Sequence, residues 1–153
     1  MPLYRELTIE ELKHFEQEFK EFLAVNGIDS KLWIEIKKTD NNKVNELIAA
    51  FSDVIYNSVL MKMEYVEFAT ENDIKYFHYE KDQAELIGLE SNSVSFLDNN
   101  TVLKAIEEKK ASIKAYRTIK KYTQTRETEL FAMIKNGCQP SDGKMFKVLE
   151  ELV

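Results

Sequence analysis

Residues 64–89 read EYVEFATENDIKYFHYEKDQAELIGL, and the way this stretch folds decides the fold class. Three runs rich in aromatic and β-branched residues, Glu64–Ala69, Ile74–Glu80 and Glu85–Leu89, are parted by the polar clusters Thr70-Glu71-Asn72-Asp73 and Lys81-Asp82-Gln83. Apolar runs of this length between turn-forming residues predict a small three-stranded antiparallel meander. Side chains alternate between faces along a strand. With those two clusters as turns, Val66, Phe68, Phe77, Tyr79, Ile87 and Leu89 share one face. The other face carries Tyr65, Glu67, Tyr76, His78 and Gly88. A slip of one residue exchanges the faces of a strand, so turn length controls this assignment.

Working outward, residues 1–63 read as helices. Thr8-Ile9-Glu10-Glu11 is a capping box, in which the Thr8 hydroxyl accepts from the Glu11 amide and the Glu11 carboxylate reaches back. Leu12, Phe15, Phe19, Phe22 and Leu23 then recur at helical spacing, and Asn26-Gly27 supplies a left-handed stop. A second helix is predicted from about Ser30 to Lys38, with Asp29-Ser30 as its cap signal. A third runs from about Asn42 to Lys62. Its apolar stripe (Val44, Leu47, Ile48, Phe51, Val54, Ile55, Val59) is broad enough for a central packing element. Asp53 and Asn57, a turn apart beside that stripe, are expected on a solvated edge.

Downstream, Thr101 can cap a helix carrying Val102, Leu103 and Ile106. Continued past Lys110, that helix would turn Lys109 and Lys120 into its apolar side. Residues 112–125 are rich in Ile, Tyr and Thr, so an irregular or extended segment is predicted there. Two helices are expected to close the chain, Arg126–Asn136 capped by Thr125, and Ser141–Leu152. Together these elements make one α+β domain over 1–153: helical over 1–63, a sheet over 64–90, and helices with the extended basic segment over 101–153.

Composition supports a globular reading and excludes several classes. The 153 residues are 44% hydrophobic with 17 aromatics, enough for a core and unlike a disordered chain. No apolar run approaches the roughly 18 residues that span a bilayer. The stretch Met1-Pro2-Leu3-Tyr4-Arg5-Glu6 lacks the basic and apolar regions of a secretory signal, and a single cysteine, Cys138, suits a reducing compartment. A cytoplasmic, acidic protein is expected, with no membrane partner.

Charge is distributed unevenly. Residues 104–126 hold eight Lys or Arg against two acids, a net +6, in a chain whose total is −6. Lys109, Lys110, Lys114, Arg117, Lys120, Lys121 and Arg126, interleaved with Tyr116 and Tyr122, are candidate contacts for an anion or single-stranded nucleic acid. Set against this is pairing of the same cations with the acidic outer faces of the first and last helices, which is the preferred reading.

Other constellations carry less. Glu11-Leu12-Lys13-His14 has metal-ligand spacing, but it occurs once and on a polar face, so no metal site is assigned. The sequence contains no phosphate-cradling glycine loop, nucleophile elbow or zinc pattern, and no cofactor or catalytic residue is assigned. Clustered Tyr65, Tyr76 and His78 are the candidate protein-binding residues on the sheet face. A terminal helix covering that face would instead make them core, and this is preferred because sheets in α+β domains are packed by helices.

Three stretches carry a resemblance to a known family. They are Leu7–Leu12 running to Phe22–Ile28; Leu47–Val54 with Glu64-Tyr65 and Glu85–Leu89; and Arg126–Phe131 with Asn136-Gly137 and Ser141-Asp142-Gly143. In these the chain resembles an uncharacterised family of small bacterial proteins, a domain of unknown function. Residues 90–125 fit that pattern least. The resemblance implies no activity and brings no catalytic residues.

The function expected from the sequence is a non-enzymatic interaction or regulatory module whose partner is another protein or a second copy. Its contacts are Tyr65, Tyr76 and His78 and the edge of the sheet. The alternatives are RNA or single-stranded DNA binding through residues 104–126, and a small hydrolase or transferase using His78 with a nearby carboxylate.

Overall fold

The computed structural model describes residues 2–108 and 112–153. Seven helices and five strands are found among them. They fall into two compact units, Met1–Val59 and Leu60–Val153, and the boundary lies within one long helix.

The first unit is helical. Helix α1 (Ile9–His14) begins at the capping box, whose two reciprocal bonds both form. Arg5 pairs with Glu11 at 3.0 Å. This guanidinium, together with the Thr8 amide, holds the Glu11 carboxyl down to about 2. The sequence pattern predicts one helix through to Val25. The structure instead breaks it at Phe15, where φ −101° and ψ 26° leave the helical region, and α2 (Glu16–Val25) follows. Helix α3 (Ser30–Thr39) starts where Asp29 accepts from the Leu32 amide at 2.8 Å. Buried Leu23, Ile28 and Leu47 gather Phe19, Phe22, Trp33 and Ile36 around them.

Helix α4 (Asn41–Lys62) buries Phe51 and Leu47, yet Val54 is 53% and Val59 50% exposed. Its covered stripe is therefore narrower than the sequence suggests. Asp53 and Asn57 do more than line a solvated edge. Asp53 Oδ1 accepts from the amides of Leu3 and Tyr4, and Asn57 Oδ1 accepts from the Tyr4 hydroxyl, so both fasten the N-terminal segment.

The second unit is built on an antiparallel sheet. The meander forms as expected: β1 (Tyr65–Ala69), β2 (Asp73–Tyr79) and β3 (Gln83–Glu90). Two further strands correct the three-stranded expectation. β4 (Lys114–Lys121) pairs along the whole of β3, and β5 (Gln139–Ser141) pairs with β1, giving the order β4-β3-β2-β1-β5. The extended reading of residues 112–125 is thus realised as an edge strand. Helix α5 (Asn99–Glu107) is capped by Asp98, α6 (Arg126–Lys135) by Thr125. Helix α7 (Lys144–Leu152) starts later than predicted because Gln139–Ser141 is spent on β5.

One face assignment is overturned. Ile87 and Leu89 pair with Tyr76 and Ile74, so they share the face of Tyr65 and His78 rather than that of Val66 and Tyr79. The cause is the second turn. The Glu80 amide donates to the Gln83 carbonyl at 2.9 Å, so only Lys81 and Asp82 lie outside the ladder and the parity of β3 shifts. The corrected face is the core of the unit: Ile74, Tyr76, Ile87 and Leu89 pack against Val102 and Ala105 of α5 and Phe146 and Leu149 of α7, with Val94 and Phe96 of the connecting loop. The other face carries Val66, Phe77 and Tyr79, and there Lys120 meets Met133 and Glu129 of α6.

Candidate functional site

The cations of the basic segment separate once their positions are fixed. Lys109 and Lys110 lie outside the described residues. Arg126 is turned inward. Its side chain is 13% exposed, and its guanidinium donates to the carbonyls of Leu60 (2.9 Å), Met63 and Tyr79 (3.1 and 3.2 Å). It therefore clamps the end of α4 to the end of β2 at the start of α6, and its donors are spent on backbone. Arg117 reaches Glu85 at 2.9 Å and Glu150 of α7 at 3.5 Å. Lys120 reaches Glu129 of α6 at 3.5 Å. Lys114 and Lys121, at the two ends of β4, have no ion pair among the described residues.

Tyr65, Tyr76 and His78 do share a face, and α7 lies on it. Tyr76 is 2% exposed, its hydroxyl pKa raised by burial and by Glu67, and it belongs to the core. Tyr65 and His78 are cross-strand partners two residues along the ladder from Tyr76. Their rings stack at 4.4 Å with 13° between planes, and Phe146 meets His78 edge-on at 5.5 Å. The Lys147 ammonium sits 5.6 Å from the centre of the Tyr65 ring. Burial, then Glu64, Glu150 and Glu80, push the Tyr65 hydroxyl up. His78 Nδ1 is 3.8 Å from Glu80 Oε1, so a carboxylate is within reach. One ring face is occupied by Tyr65, however, and the grooves beside Trp33, Ile113, Arg126 and Asn45 are lined by other side chains.

Cross-strand pairing extends this row. Ser141, Tyr65, His78, Glu85 and Ile119 follow one another across the five strands on one face. Arg117 and Glu150 stand beside Glu85, and Ile119 ends the row on the edge strand, 51% exposed. Sequence reasoning did not find Glu85, Glu150 or Ile119, because their convergence depends on the β4 register and the course of α7. The alternation of Arg117 and Ile119 was the only local signal.

The two sheet edges are unlike. β5 is three residues long and contains Pro140, which has no amide hydrogen to offer. β4 is eight residues long and fully paired to β3 on one side. On its other side, no described residue hydrogen-bonds to the backbone of Lys114–Lys121. Elsewhere, α2 and α3 form a groove of about 420 Å³ lined by Phe19, Leu23, Ile28 and Trp33, with the Glu16–Lys20 pair at its rim.

Comparison with known families places the chain. It belongs to a family of unknown function, DUF6495. The family model matches residues 1–153, the whole chain, including the segment 90–125 that fitted the resemblance least. No curated protein and no solved structure matches it. For this DUF6495 member, then, geometry alone bears on function. Among the described residues no helix is long and apolar enough to cross a membrane.

Proposed function

We propose that this protein is a non-enzymatic, cytoplasmic protein-interaction module whose contact element is the β4 edge together with the adjoining row of His78, Glu85 and Ile119. The observation that carries this reading is the asymmetry of the sheet. One edge is shortened and carries a proline, while the other leaves a full-length strand whose outward backbone groups have no partner among the described residues. Such an edge is a template for an added strand from a partner, where main-chain bonds supply affinity and alternate side chains supply selectivity. His78 stands in the same row, stacked on Tyr65 and met edge-on by Phe146.

Nucleic-acid binding through the basic segment is weaker on the same geometry. Arg126 is bonded to carbonyls, and Arg117 and Lys120 face their own carboxylates, so a phosphate backbone would have to displace acids already in place. The test is photo-crosslinking in cells, with a photoreactive residue at exposed Thr118 on β4 or, as control, at exposed Glu21 on α2. Discrete protein adducts at 118 that are missing at 21 are expected. Adducts to nucleic acid at 118, or equal labelling at both positions, would overturn the proposal.

A further inference from the structure

Resting on that reading of β4 as the contact element, we propose that its partner is a short, extended, acidic segment of another protein, added as a sixth strand with an apolar side chain over Ile119. The argument starts from parity. Along β4, Ala115, Arg117, Ile119 and Lys121 share the α7 face of the sheet, and Lys114, Tyr116, Thr118 and Lys120 share the other. A strand added beside β4 alternates in the same way, so each of its side chains stands opposite one β4 residue on the same face.

The cations are therefore divided between two faces, Arg117 and Lys121 on one, Lys114 and Lys120 on the other. A single-stranded nucleic acid lying on either face reaches one pair and leaves the other behind the sheet. An added strand runs along both faces and reaches Lys114 and Lys121 together. Acids facing Lys114 and Lys121 and an apolar residue facing Ile119 make the order that fits, because Arg117 and Lys120 already meet Glu85, Glu150 and Glu129. The apolar member would cover Ile119, which is 51% exposed at the end of the row from Tyr65 through His78. Lys114 and Lys121, at opposite ends of the strand, have no internal carboxylate partner among the described residues and would gain most from acids on the added strand.

A second copy of β4 does not fit. The strand reads KAYRTIKK and contains no acid, so pairing it with itself sets cations against cations or neutral residues in every register. The lysines that discourage self-pairing are those that favour an acidic strand.

The experiment uses the full chain and three labelled synthetic peptides built on a Glu-Thr-Ile-Thr-Thr-Thr-Thr-Glu core, which in antiparallel pairing sets its acids opposite Lys121 and Lys114 and its Ile opposite Ile119. One has that acidic core, one carries Gln at each Glu position, and one carries Lys there. Binding is read by fluorescence anisotropy and by slowed amide exchange along Lys114–Lys121. The acidic peptide is expected to bind about tenfold more tightly than the Gln peptide at low salt, and less so as salt rises. In the variant Lys114→Glu with Lys121→Glu the preference is expected to reverse toward the Lys peptide. If the acidic and Gln peptides protect β4 equally, the acidic-partner inference falls and the edge reading stands. If a single-stranded oligonucleotide protects β4 and outcompetes the acidic peptide, the inference also falls. If none of the peptides slows exchange in β4, the edge reading itself is overturned.

Discussion

Arg126 donates to carbonyl oxygens at Leu60, Met63 and Tyr79, joining three chain positions through one planar group. A lysine in its place would carry a compact ammonium that cannot fork across those acceptors, so part-buried carbonyls lose the donor that joins them. Arg126→Lys is expected to lower unfolding free energy by about 2–4 kcal/mol, read as a fall in urea midpoint. An unchanged midpoint would return Arg126 to the pool of surface cations. Glu67 acts in the opposite sense. Burial and, second, Asp142 raise its carboxyl pKa, with Tyr76 and Gln139 opposite it on the neighbouring strands. As pH rises through the ordinary carboxylate range the unfolded chain loses this proton first, so native stability falls until the folded value has been passed. Glu67→Gln removes that loss. Its urea midpoint should match the wild type near about pH 3 and exceed it near about pH 7. A gap that is constant across pH would show that Glu67 titrates normally.

At the scale of elements, the seating of the Tyr116 ring of β4 over β3 rests on one glycine. Gly88 pairs with Tyr116, and a Cβ at Gly88 would stand 2.0 Å from Cζ of the Tyr116 ring. The ring covers the glycine and fills the gap that a missing side chain leaves. Gly88→Ala would push the far end of Tyr116 outward at a cost of about 1–2 kcal/mol, with faster amide exchange in β4. In a Tyr116→Thr background the same change should cost nothing, because alanine is the better strand residue. A penalty that persists there would locate the strain in the backbone. Much of this architecture was legible in the sequence: the capping box at Thr8, the caps at Asp29 and Thr125, the three meander strands and the extended basic segment. What escaped depends on geometry that residue types do not encode. Glu80 and Gln83 pair across Lys81-Asp82, which shifts β3 by one residue and moves Ile87 and Leu89 to the other face. Strand β5 holds three residues including Pro140, and no Gly or Pro marks the break at Phe15. Of the candidate site, the residue set Tyr65 and His78 was readable as a shared face, while the junction of Arg117, Glu85 and Glu150 required the β4 register and the path of α7 together.

At the scale of the molecule, a net charge of −6 coexists with an open edge strand that holds four cations and no acid. The two fields act at different ranges. Overall repulsion between acidic chains is screened beyond a Debye length of about 8 Å at physiological salt, whereas facing lysines on paired edges would lie well inside it. The local term therefore governs whether two β4 edges can meet. Lys114 and Lys121 are the natural positions to change, because their removal breaks no ion pair among the described residues. Replacing both with Thr makes the chain more negative, which by itself favours separation, yet also strips the edge of its end charges and adds a strand-favouring side chain. Concentration-dependent dimers are expected in sedimentation velocity for this double variant at physiological salt, under conditions where the wild type stays monomeric. Adding salt to the wild type should move it in the same direction. If the variant stays monomeric at every concentration tested, the end lysines do not guard the edge, and β4 must be kept from self-pairing by Arg117, Lys120 and the twist of the strand.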